Sequence, residues 1–71
     1  KINILTYNNG VGIVTDAVLL KKIIEDEITK NVTLEFIHEH IRTADVGIWI
    51  QNFDINYLSN FKKNIFFILN T

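Results

Sequence analysis

The hydrophobic pattern of this chain changes period across one glycine-bearing loop, and that change limits the folds open to it. INILTY (2–7) is an apolar run dominated by Ile and Leu that reads as a buried strand. Asn8, Asn9, Gly10 and Gly12 interrupt it, and from Thr15 the residues Ala17, Leu20, Ile23, Ile24 and Ile28 recur at helical spacing. Lys21, Lys22, Glu25 and Asp26 occupy the other side as a solvated face, with i,i+4 pairs worth a few tenths of a kcal/mol. Thr15 is placed to cap the first amides and Asp16 to complement the positive helix end. A strand, a glycine turn and an amphipathic helix are the start of a β-α-β unit.

The remaining elements continue the alternation. After Asn31, VTLEFI (32–37) sets Val32, Leu34 and Phe36 against Thr33 and Glu35, which predicts a strand with a wetter side, near a sheet edge. VGIWIQ (46–51) reads as a third strand, and NYLSNF, opened by Asp54 as a cap, predicts a short helix over 54–61. NIFFIL (64–69) reads as a fourth strand, too uniformly apolar to have a solvent face. The order β-α-β-β-α-β predicts an α/β fold: a three-layer single domain over 1–71, with a four-stranded, mostly parallel sheet of strand order 3-2-1-4. Right-handed crossovers then place the two helices on opposite faces. The link HEHIRTAD between the second and third strands is short, because parallel crossovers take a dozen residues or more. Fully extended, eight residues span roughly 26–29 Å, enough to return along a strand of about 17–20 Å. An antiparallel third strand is the alternative.

Composition narrows the function classes. A chain of 71 residues buries only about 60% of its unfolded surface. It has no Cys, which excludes a disulfide scaffold and sulfur-ligated zinc and fits a reducing, cytoplasmic setting. The formal net charge of -1 is scattered, unlike the clustered basic patch of a nucleic-acid surface. KINIL lacks the form of a signal peptide, and no apolar run approaches the roughly 20 residues of a membrane span. The chain also lacks Met and Pro, and opens and closes directly on strands, as expected of a segment of a longer protein.

Three groups of residues invite a chemical reading. YNNGVGIVTD occupies the first strand-to-helix turn, the usual floor of a ligand crevice in such folds. Gly10 and Gly12 allow close backbone approach, and free amides at the helix start favour an anion. The dinucleotide fingerprint G-x-G-x-x-G fails at Thr15, and glycines supplying positive φ in a plain turn are an equal reading. His38 and His40 lie two apart, on one side of an extended segment with Glu39 opposite. Two imidazoles without a third ligand do not make a zinc site, and no metal is expected. His38 is a candidate general base, and a solvated loop explains the pair as well. Trp49 between Ile48 and Ile50 reads as packing rather than sugar stacking, as do Tyr57, Phe61, Phe66 and Phe67. Lys62 and Lys63 suit the negative end of the short helix.

Taken together, NILTYNNGVG, TDAVLLKKII, VTLEFI, TADVGIWIQNFD and KKNIFFILNT resemble the amino-terminal Rossmann-like half of GT-B glycosyltransferases of bacterial or large-virus type. The resemblance covers essentially the whole chain. It implies the acceptor-side part of an enzyme that moves a sugar from a nucleotide-sugar donor to a sugar or glycan acceptor, without a further cofactor. Asn9, Gly10, Val11 and Gly12 would line the cleft near the donor phosphates, and Gln51 and Asn52 would face the same edge. The donor-binding half and its ribose-binding carboxylate are not matched, so the chain is not expected to transfer sugar alone. A non-catalytic α/β module that self-associates or binds a partner, and a small phosphate- or nucleotide-binding domain, are the alternatives. Two helices cannot cover four apolar strands, and the fourth strand leaves an open edge. The isolated chain is therefore expected to be a homo-oligomer, joined at that edge or at a sheet face beside Trp49, Phe66 and Phe67.

Overall fold

INILT forms β1 (Ile2–Thr6), and Asn3, Ile4, Leu5 and Thr6 are all buried. Such a strand belongs inside a sheet, and β1 has a neighbour on each side. The computed structural model describes residues 1–8, 11–38 and 40–68. After β1 come α1 (Val11–Glu27), β2 (Val32–Phe36), β3 (Ala44–Ile50), a 3-10 helix (Ile55–Asn60) and β4 (Phe61–Phe67). The four strands make one sheet of order β2-β1-β3-β4, with every neighbouring pair parallel.

The α/β class and the parallel sheet agree with the sequence, and the short link does return parallel. The strand order does not agree. The expected 3-2-1-4 places β3 outside β2, whereas Ile2 faces Val46 and Leu5 faces Trp49 across a β1–β3 pair. Burial explains the difference. Thr33 and Glu35 give β2 polar positions that an edge tolerates, while Gly47 to Ile50 are buried and need neighbours on both sides.

On one face, α1 packs Ala17 and Ile24 against Ile4, Val32, Ile48 and Ile50, with Ile13 and Leu20 half-buried beside them. The helix begins at Val11, a turn before Thr15, so Thr15 and Asp16 lie in its second turn and neither is a cap. Carrying the helix back through Gly12 costs about 1 kcal/mol. Seating Ile13 on the core offsets that cost. Two expected core residues stay outside: Ile23 is 53% exposed on the flank of α1, and Ile28 is 72% exposed just past its end. The Ile24 carbonyl closes the helix by accepting from the N–H groups of Ile28 and Thr29, both at 2.9 Å. Lys21 and Glu25 pair at 3.2 Å, as their spacing predicts.

The link and the 3-10 helix cover the other face, where right-handed connections running the opposite way along the sheet must lie. Ile37 and Ile41 from the link join Leu5, Trp49 and Phe61, with Tyr57 and Leu58 of the 3-10 helix. Asp54 caps that helix through Oδ1, which accepts from the Asn56 N–H at 3.0 Å. Trp49 is a packing residue: it is 1% exposed and meets Phe61 edge to face at 5.9 Å. Its Nε1–H donates to Asn64 Oδ1 at 2.8 Å.

β4 departs from expectation. Ile65, Phe66 and Phe67 are 40%, 47% and 44% exposed, although the run reads as buried on both faces. α1 rests mainly on β1 and β2, so the last half of β4 is only partly covered. Phe66 meets the half-exposed Phe53 edge to face at 5.3 Å.

Two predictions follow from this packing. A Cβ at Gly47 would come within 2.7 Å of the Phe61 ring. Gly47→Ala should therefore cost about 1–3 kcal/mol in urea unfolding followed by Trp49 fluorescence, and combined with Phe61→Ala, which removes the clashing Cγ and Cδ2, it should cost less than the two changes added separately. At the amino edge, Lys62 Nζ stands 3.4 Å from Asp45 Oδ1, and its positive charge favours the ionised carboxylate and lowers its pKa. A depressed folded value adds stability above the unfolded pKa and loses it as pH falls through the folded one. Asp45→Asn should flatten the fall in stability between about pH 5 and pH 3.

Candidate functional site at the carboxyl edge of the sheet

Because all four strands are parallel, the loops that follow them gather on one edge. The chain leaves β1 toward β2 on one face and leaves β3 toward β4 on the other, so β1 and β3 flank a topological switch point. Doubly wound sheets with this order, the flavodoxin type among them, hold ligands beyond the strand ends at such a point.

Beyond β1 lie half-buried Tyr7 and exposed Asn8, and then Val11 and Gly12 open α1. Asn9 and Gly10 are outside the described residues. Gly12 is helical, its φ is not positive, and an added Cβ would meet nothing within 4 Å. The plain-turn reading of the glycines therefore fails at Gly12, which stands in open space. The first amides of a helix have no intrahelical partner, and the first turn of α1 carries no acid to neutralise its positive end.

Beyond β3, Gln51 takes φ 67 and the Asn52 N–H donates back to the Ile50 carbonyl at 2.8 Å. This three-residue turn is of the rare, strained kind, costing on the order of 1–3 kcal/mol. The Gln51 N–H still donates to the Phe67 carbonyl at 2.9 Å, which ties the turn to β4. Gln51 and Asn52 thus stand on the expected edge. A glycine is the usual sequence signal for such a conformation, and here there is none.

His38 follows β2 on the same edge. Its Nδ1 accepts from the His40 N–H at 3.1 Å, which assigns the ring proton to Nε2, 3.6 Å from Glu35 Oε2. Nδ1, the ring nitrogen with a free lone pair, is thus engaged inside its own loop, so service as a base requires its release. His40 is exposed, and Glu39 lies outside the described residues. Among the described residues no three His, Cys, Asp or Glu side chains gather.

A polar network supports this loop, and sequence reasoning missed it. Glu35 Oε1 accepts from Asn3 Nδ2 at 2.9 Å and from the Arg42 N–H at 3.0 Å. Asn3 Oδ1 accepts from Thr33 Oγ1 at 3.2 Å. Glu35 thereby fastens β1 to both ends of the link that carries His38. The signal was a lone Asn in the apolar run INILT, but its partner lies 32 residues away.

Two concavities flank the sheet. A groove of about 280 Å³ runs beside α1, lined by Asp16, Leu19, Leu20, Ile23, Ile50 and Phe67. Its apolar walls and one carboxylate suit no phosphate. A hollow of about 440 Å³ at the amino edge is bounded by Lys1, Asp45, Phe61 and Lys62, remote from the switch point.

No protein-family model, curated protein or solved structure matches this chain. The class is therefore the one its own architecture defines, a doubly wound parallel α/β sheet of order 2-1-3-4. No described helix is long and apolar enough to cross a membrane.

The turn at Gln51 is testable by itself. Gln51→Val should destabilise the chain by about 1–2 kcal/mol more than Gln51→Gly, because a β-branched side chain opposes positive φ and glycine does not. Urea unfolding of the two variants side by side gives the difference.

Proposed function

We propose that the chain is the acceptor-side part of a sugar-transferring enzyme, with its ligand held beyond the ends of β1 and β3. The observation that carries this reading is that the acid-free amino end of α1 and the strained turn at Gln51 follow the two strands that flank the switch point. The resemblance to GT-B glycosyltransferases supplies the ligand class, a nucleotide-sugar donor and a sugar or glycan acceptor.

In such a transfer an acceptor hydroxyl attacks the anomeric carbon, and a nucleoside diphosphate leaves with the bonding electrons. Free amides at Val11 and Gly12, with Asn9 and Gly10, meet the negative charge that grows on the diphosphate. The side-chain amides of Gln51 and Asn52 offer both donors and acceptors to sugar hydroxyls. His38, once freed from the His40 N–H, takes the acceptor proton. Metal and cofactor have no part in this reading, and a cytoplasmic setting accords with the cysteine-free sequence.

Nitrogen-15 NMR titration with UDP-glucose, inorganic diphosphate and free glucose tests the site. UDP-glucose should shift the amides of Asn8, Gly12, Gln51 and Asn52, with diphosphate reproducing the change at Gly12. Gly12→Ala should stabilise the helix by up to about 1 kcal/mol while weakening UDP-glucose binding severalfold, because the added methyl occupies the approach. Silence along the carboxyl edge, or shifts confined to Lys1, Asp45 and Lys62, would overturn the reading.

A further inference from the structure

The geometry points to a second copy of this chain as the partner of β4, the two strands running antiparallel about a two-fold axis near Ile65. The inference is independent of the ligand reading above. β4 is a terminal strand of the sheet, bonded to β3 alone, so its outward N–H and C=O groups face no other strand. Ile65, Phe66, Phe67 and Ile68 are 40%, 47%, 44% and 58% exposed. They alternate between the two faces of the sheet, so the edge of β4 is apolar on both sides of its backbone. The run Asn64–Ile68 carries no charge and no Pro, and it is rich in residues that pair well as strands. β2, the other edge, has Thr33 and Glu35 and lacks this character.

Charge selects both the occupant and its direction. Lys62 and Lys63 are exposed and sit in the amino half of β4, and its carboxyl half is neutral. A parallel, in-register partner would stack each lysine on its own copy about 4.8 Å away. The antiparallel arrangement centred on Ile65 sets Lys63 opposite Phe67 of the copy and Asn64 opposite Phe66. The Lys63 side chains then lie about 13 Å apart, beyond the roughly 8 Å screening length. Lys63 and Phe67 share a face, so each ammonium reaches the ring across from it. Neutral half meets basic half twice, a self-complementary pattern that suits a second copy. Among the described residues the dimer leaves β2 as the edge at each end, where Thr33 and Glu35 make further pairing less favourable than at β4.

Sedimentation equilibrium of the 71-residue chain at micromolar concentration should return twice the 8.3 kDa mass of one chain. The chain has no Cys, so single-cysteine variants report contacts cleanly. Ile65→Cys should form a disulfide-linked dimer on air oxidation, and Leu19→Cys, on the α1 groove, should not. Ile65→Lys should bring the mass down to one chain with Trp49 fluorescence unchanged. If that variant fails to fold, the cysteine pair decides. A wild-type monomer throughout, a dimer that survives Ile65→Lys, or cross-linking at Leu19→Cys in place of Ile65→Cys would overturn the inference.

Discussion

A parallel sheet has no face it can leave to water, and this chain covers four strands with one helix of 17 residues and a 3-10 helix of six. The shortage shapes the rest of the molecule. α1 is spent on β1 and β2. The second face is closed by a link drawn tightly across β1, with Ile37 and Ile41 doing the work of a crossover helix. The bulkiest side chain, Trp49, fills the place where that link meets the 3-10 helix. Gly47 is the complement of this economy, since the Phe61 ring lies where its side chain would be.

Much of this was legible in the residues, and the errors have physical causes. Period and turn chemistry were enough for the class of fold and for the Asp54 cap. The strand order was misread, although the residues carried a signal for it. Alternation in VTLEF marked β2 as an edge, and a uniformly apolar GIWI cannot sit outside an edge strand. The start of α1 was misjudged because capping and glycine signals are worth about 1 kcal/mol each, less than the burial that Ile13 gains. Phe66 and Phe67 show the limit of composition: an apolar residue is buried only where the chain has something to lay over it. The positive φ at Gln51 left no trace, because neither Gln nor its neighbours announce it.

The candidate site was partly legible for a simple topological reason. Loops after parallel strands must share an edge, so naming the strands names the edge. What sequence could not supply was how the edge is held. The hydrogen bonds of Glu35 to Asn3 and Arg42 join residues far apart in the chain, and they restrain the loop bearing His38. A polar group buried in this way is costly unless paired, and every partner here is supplied by the neighbouring strand or the link.

The link has one more consequence. α1 rests on β1 and β2, and the 3-10 helix rests on β3 and β4. The boundary between β1 and β3 separates residues 1–36 from 44–67, and α1 reaches across it where Ala17 and Ile24 pack with Ile48 and Ile50. The strand ladder, the packing of Leu5 with Trp49 and Phe61, and the link itself cross it too. Its Ile41, 7% exposed, lies in one cluster with Leu5 on one side and Trp49 and Phe61 on the other. Ile41 thus ties the link to both halves at once, so loosening it would loosen the seam between them as well as the loop that bears His38.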